Sequence, residues 1–181
     1  MPININGGSR RAGGWWAKHL MKATNERVEV VEIVGLNATT LPDAFREMYA
    51  VSRGTKCDNY FYQANINPRA DEHLTPEQWQ KAVDALERNL GLTGQPRFVV
   101  EHEKEGRTHR HVVWSRVDAE QMRAIPDSLT AAIHERTSRE LEISFDLERG
   151  VRHRTGRIAR FAARTGNAGL VGCGDGHAVS P

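Results

Sequence analysis

The sequence predicts an α+β domain: a mainly antiparallel central sheet flanked by helices. Three observations carry that prediction. Short alternating apolar segments are interleaved with longer segments of helical period. Two of the apolar segments are separated only by a charged loop containing Gly106, which is a hairpin pattern. The stretch "LTPEQWQKAVDALERNLGL" carries a full set of helix start and stop signals.

The elements follow in order. "INGGSRRAGGWW" holds two Gly-Gly pairs and reads as turns, leading into a short helix over "WWAKHLMKA" that carries Trp15, Trp16, His19 and Leu20. "RVEVVEIVG" alternates as a strand through Val28, Val30 and Ile33. "LPDAFREMYAVSRG" reads as a helix with Leu41, Phe45, Met48 and Tyr49 on one apolar face and Gly54 as its stop. "NYFYQANINP" is a strand whose Tyr60, Tyr62, Ala64 and Ile66 share a face, ended by Pro68. In the next helix Thr75 is the cap, Pro76 takes the first helical position and Gln78 completes a capping box. Trp79, Val83, Leu86 and Leu90 form its buried stripe, and Gly91 ends it. The hairpin "PRFVVEHEKEGRTHRHVVWSRVD" comes next, then a helix over "PDSLTAAIHERTSRELE" capped by Asp127 or Ser128.

After residue 148 the periodicity fades. The reading divides the chain into a domain over residues 1–148 and a basic, Gly-rich tail over residues 149–181, truncated or disordered. The stretch "RGVRHRTGRIARFAARTG" has six arginines and no acid, which suits either a polyanion or a solvated tail.

Composition narrows the class. The chain has 181 residues, enough for one domain with its own core. With 39% hydrophobic residues, 27% charged residues and a mean hydropathy of -0.58, it reads as a soluble globular protein. No apolar run approaches the roughly 20 residues of a membrane span, so no membrane insertion is expected. "MPININGGSRR" lacks a signal-peptide apolar core, and the two cysteines, Cys57 and Cys173, do not form a disulfide framework; both point to the cytoplasm. The net charge is +2, but Arg10, Arg11, Lys18 and Lys22 gather near the start, where they could follow a phosphate backbone. Trp15 and Trp16 beside them could stack on bases.

The chemistry-bearing stretch is "EHEKEGRTHRHVVWSRVD". It gathers three of the eight histidines: His102, His109 and His111. Side chains alternate along a strand, so His109 and His111 point the same way. A hairpin returns His102 opposite them, about 5 Å away. Three imidazoles then converge on one sheet face and suit a divalent cation, with positions left open for water or a substrate oxygen. Glu101, Glu103 and Glu105 supply carboxylates that could orient a ligand ring, or simply make a charged hairpin tip.

The pattern His-x6-His-x-His followed by "VVWSRVD" resembles the metal motif of relaxases, the mobilisation nucleases of the HUH endonuclease superfamily. The order of "NYFYQANINP", "LTPEQWQKAVDALERNLGL", the histidine hairpin and "IHERTSRELE" is similar to their nuclease domain over roughly residues 5–148. The resemblance implies that His102, His109 and His111 hold a divalent metal, Mg or Mn first and Zn next. It implies nicking of one DNA strand at an origin of transfer in conjugative mobilisation. A tyrosine would attack, leaving the enzyme joined to the 5′ end and a free 3′ hydroxyl. Implied partners are single-stranded origin DNA, accessory relaxosome proteins and a type IV secretion coupling protein.

One departure stands out. Many relaxases carry the nucleophilic tyrosine near the first helix, where this chain has "GGWWAKHLMKA" and none. His19 stands in roughly that place as a candidate nucleophile or base. Tyr49 reads as core. Tyr62 is the candidate tyrosine nucleophile, with a packing role as its alternative. Two other functions stay open: a DNA-binding accessory protein that keeps the fold without nicking, and a zinc hydrolase of unrelated substrate.

Overall fold

The computed structural model describes residues 3–22 and 26–147. The expected tail over residues 149–181 lies outside them. A five-stranded antiparallel sheet forms the centre, in the order β1 (Ile3–Arg10), β3 (Phe61–Pro68), β5 (Arg107–Ser115), β4 (Arg97–Lys104), β2 (Arg27–Val34). α1 (Gly13–Leu20) and α2 (Leu41–Ser52) pack together on one face; α3 (Pro76–Leu90) and α4 (Thr130–Ser144) cover the other. A short ribbon pairs β6 (Val117–Asp118) with β7 (Arg123–Ala124).

Strand alternation divides the core in two. Tyr62, Ala64, Ile66, Val99, Val112 and Trp114 point to the α3/α4 side, where Trp79, Val83 and Leu86 meet them. Phe61, Phe98, Val100 and Val113 point to the α1/α2 side. There Phe45 of α2 stands edge-on to Phe61 and Phe98, with ring centroids 4.9 and 5.1 Å away. The expected α3 signals are all present: the Thr75–Gln78 capping box, Pro76 in the first turn and left-handed Gly91 at the end.

Four readings of local sequence are corrected. The Gly-Gly segment expected to turn is instead β1, paired with β3 from Ile3↔Pro68 to Arg10↔Phe61. Its Ile3 and Ile5 are core, and Gly7 is where β1 lies closest to β3: a Cβ there would sit 2.8 Å from Ala64 Cα. Tyr49 is not core but 48% exposed, set at the rim with its ring tilted against Tyr60. Tyr60 does not share a face with Tyr62; it precedes β3 on the α1/α2 side, and its hydroxyl accepts the Gly13 N–H at 3.1 Å. Neither Asp127 nor Ser128 caps α4, which starts after left-handed Leu129 without a side-chain cap. Asp127 is drawn off to the guanidinium of Arg116, 3.3 Å away.

The helices are locked to the sheet by charge as well as by apolar packing. Arg97 of β4 is 9% exposed and donates to Glu32 of β2 at 2.7 Å and to Glu87 of α3. Glu87 also accepts the Trp114 indole N–H at 2.8 Å. Burial opposes the charge on Arg97, yet its bonds to Glu32 and Glu87 prevail and raise its pKa above the ordinary range. Removing one partner of a buried pair strands the other's charge, at a cost of about 3–5 kcal/mol. We therefore expect Arg97→Ala to lower the unfolding free energy by about 3 kcal/mol in urea titrations; a loss under about 1 kcal/mol would mean that water reaches this cluster.

Candidate metal centre

The histidines extend the alternation of the core strands past the helical cover. On β4, Phe98, Val100 and His102 point to one side; on β5, Val113, His111 and His109 do the same. A tight turn joins the strands through Glu105 (φ 54) and Gly106 (φ 68), the positive pair whose twist suits a two-residue hairpin. That turn sets His102 directly opposite His109 and Val100 opposite His111. Ring centroids lie 5.2 Å apart for His102–His109, 4.5 Å for His102–His111 and 5.2 Å for His109–His111. One donor nitrogen from each ring lies within 4.8 Å of the others.

Their surroundings favour neutral rings. Burial, then mutual repulsion with neighbouring histidines, lowers His111 to about 3 and His109 to about 4. Burial also lowers His102, against the opposing pull of the Leu20 carbonyl. Neutral imidazoles keep the lone pairs a cation needs. The His102 Nε2–H donates to the Leu20 carbonyl at 2.6 Å, which fixes the ring proton on Nε2. The buried amide of Gln63 stands 3.3 Å from His111 Nδ1. As placed, the Gln63 Nε2–H donates to Nδ1; turning the amide over would let its oxygen accept the Nδ1–H and leave Nε2 for an ion. The donor set fits a divalent ion after a small rotation of the rings, because bonds of about 2.1 Å draw the nitrogens closer together.

Among the described residues, no carboxylate joins the cluster. Glu101 is on the opposite sheet face, paired at 2.9 Å with Arg110, whose guanidinium lies 4.7 Å over the Trp79 ring. Glu103 alternates with His102 and points away, and Glu105 is taken up by the turn. Gln63 and the Leu20 carbonyl occupy the orienting role expected of an acid. Sequence reading missed both. The place of Gln63 depends on the register of β3 against β5, which sets Asn65 opposite His111 and which no local signal carries.

Parity also relocates Tyr62. It pairs with Trp114 and points to the α3/α4 face, 1% exposed, away from the histidines. Its hydroxyl is 2.8 Å from His134 Nε2, and burial raises its pKa. His19, by contrast, precedes Leu20 on α1 and is close enough to lower the proton affinity of His102 and His111. Trp15, 59% exposed, stacks on His19 with centroids 4.8 Å apart and planes 10° from parallel. Trp16 is half-buried against Phe61, with the Arg10 guanidinium 5.9 Å from its ring. Arg10, Arg11, Lys18 and Lys22 are exposed around this helix.

The depressed imidazoles make a pH prediction. As pH falls below 6.5, the ordinary imidazole value, the unfolded chain takes up protons that folded His109 and His111 refuse until about 4 and about 3. The metal-free protein therefore loses stability as pH drops through that window. Thermal unfolding in chelator should show a shallower decline for the His109→Gln, His111→Gln variant than for the parent; parallel curves would refute the burial of these rings.

No curated protein and no solved structure matches the chain. A family model, described as relaxase, MobA/VirD2-like, nuclease domain, matches residues 18–147. The match takes in the end of α1, both strands of the histidine hairpin and α4. On that coverage, the chain belongs to the relaxase family as a MobA/VirD2-like nuclease domain.

Proposed function

We propose that the protein is a metal-dependent nuclease that nicks one DNA strand at an origin of transfer, in the mobilisation of a plasmid or integrative element. The observation that carries this reading is the cluster of His102, His109 and His111, held as neutral rings beside a helix that bears an exposed tryptophan and has exposed cations on and around it. A divalent ion held there would offset charge building on the oxygens of the scissile phosphate. Among the ions expected from the sequence, an all-imidazole donor set places Mn and Zn ahead of Mg, which prefers oxygen ligands. Arg10, Arg11, Lys18 and Lys22 would hold flanking phosphates, and Trp15 and Trp16 would stack on bases. Accessory relaxosome proteins and a type IV secretion coupling protein are the partners this role requires, and the cytoplasm is its place. No helix among the described residues is long and apolar enough to cross a membrane.

His19 is the nucleophile this arrangement favours over Tyr62. Tyr62 is buried on the far face, and Tyr60 is tied to Gly13, about 10 Å along α1 from the end that reaches His102. A neutral imidazole attacks with a lone pair it already has, whereas a phenol must first lose a proton with a pKa of about 10. In the step, a His19 ring nitrogen bonds to phosphorus and the P–O3′ bond breaks. The 3′ oxygen gains a proton from solvent, and the imidazole releases its own ring proton. The product is a phosphoramidate on the 5′ end and a free 3′ hydroxyl.

A second reading, a DNA-binding accessory protein that does not nick, has its support in the lack of any tyrosine hydroxyl recorded at the cluster among the described residues. A zinc hydrolase of unrelated substrate is disfavoured by the exposed tryptophan on α1 and the exposed cations on and around it.

Two experiments test these assignments. Metal analysis of the purified protein should find about one ion per chain, and His102→Ala, His109→Ala, His111→Ala should remove it; retained stoichiometric metal would refute the site. A single-stranded oligonucleotide spanning an origin should give a shifted protein band on a denaturing gel. We expect that adduct to be acid-labile, retained in Tyr62→Phe and lost in His19→Ala. An acid-stable adduct that needs Tyr62 would reverse the assignment, and no adduct with any divalent ion would favour the accessory role.

A further inference from the structure

On the histidine face, the half of the sheet formed by β1 and β3 presents amides. Asn6, Asn65 and His111 stand in line across three strands, through the pairs Asn6↔Asn65 and Asn65↔His111. Asn4↔Asn67 forms a second line two residues nearer the hairpin turn, and Gly8 pairs with Gln63 on the other side. The apolar cluster under α1 and α2 does not extend to these positions: Asn4 and Asn6 are exposed, and Asn65 and Asn67 are partly so. Asparagine is disfavoured in strands, so four on two paired strands at one face need a reason beyond the fold.

Three further features point to a ligand. Two open pockets, of about 290 and 550 Å³, meet at Asn67 and Arg107; the first reaches His109 and Lys104, the second Asn4 and Arg69. Asn4 and Asn67 are the amides that line these pockets, with Asn6 and Asn65 next to them on the same face; the rim carries Lys104, Arg107 and Arg69, the last paired with Asp71, and one acid, Glu105. Asn65 Oδ1 is shut from solvent with no hydrogen-bond partner. Asn67 donates from Nδ2 to the Asn4 carbonyl at 3.4 Å, which leaves its oxygen and second N–H unengaged by that bond.

Amides do not neutralise phosphates, but each offers an acceptor and donors in a plane. That is the complement of a base edge, and of adenine N6 and N7 in particular. Rim arginines and lysines match the backbone. We infer that Asn4, Asn6, Asn65 and Asn67 form a base-reading floor for single-stranded DNA next to the histidines, with a preference for adenine over thymine. The location beside the scissile phosphate rests on the nicking reading; the base preference does not, because binding needs no chemistry.

The test is fluorescence anisotropy with labelled dA12 and dT12, at several salt concentrations, on the His102→Ala, His109→Ala, His111→Ala background. The parent should bind dA12 about tenfold more tightly than dT12. Asn65→Ala, Asn67→Ala should bring the ratio near one without changing the salt slope. Arg107→Ala should weaken both probes alike and reduce the slope by about one. Exposed Asn6→Ala, which the fold tolerates, should lower the ratio part-way and guards against misfolding of the double variant. Self-stacking of dA12 is common to all variants, so the change in ratio is the readout. Equal parental binding of the two probes, or a ratio kept in both the double variant and Asn6→Ala, would overturn the floor. Loss of the adduct with the ratio intact would instead remove nicking and leave the floor standing.

Discussion

A two-residue turn governs where the three clustered histidines of this domain point. Glu105 and Gly106 both take positive φ, and this closes β4 on β5 in one register. The side-chain period of a strand is two, so a slip of one residue would send His102 to the α3/α4 face and bring Glu101 or Glu103 into its place. The core enforces the choice. Phe98 and Val100 must meet the α1/α2 side while Val99 meets the other, and Arg97 must reach Glu32 and Glu87. The histidine cluster thus inherits its precision from apolar packing two and four residues away.

The two faces of the sheet divide the work. One is closed by α3 and α4, with Tyr62 tied to His134 and Trp114 tied to Glu87. The other is closed over half its extent by α1 and α2 and left polar over the rest. The histidines lie on the boundary. Their depressed proton affinity follows from the covered side, and a substrate's access follows from the open side. An exposed cluster would compete with protons near neutrality, and a fully buried one would admit no strand.

Much of this was legible in the sequence, for identifiable reasons. The α3 boundaries follow from Thr75, Pro76, Gln78 and Gly91, because capping is a local interaction. The histidine convergence follows from alternation plus a hairpin, again local. What sequence reading lost was set by tertiary context. β1 was hidden because asparagine and glycine are poor strand formers, and its pairing with β3 depends on a close approach that only Gly7 permits. Tyr62 was placed with the histidines because the phase of β3 relative to β5 is a long-range register that no local signal carries. Tyr49 was assigned to the core by helical period alone, but α2 buries the Phe45 and Met48 stripe and leaves Tyr49 at its rim.

The bond from His102 to the Leu20 carbonyl ties the end of α1 to one corner of the imidazole triad. That helix also carries His19, the Trp15 platform and exposed Lys18. An ion in the triad and a ligand on the outer surface of α1 would therefore bear on one and the same ring. If binding of one changes the affinity for the other, linkage makes the factor equal in both directions.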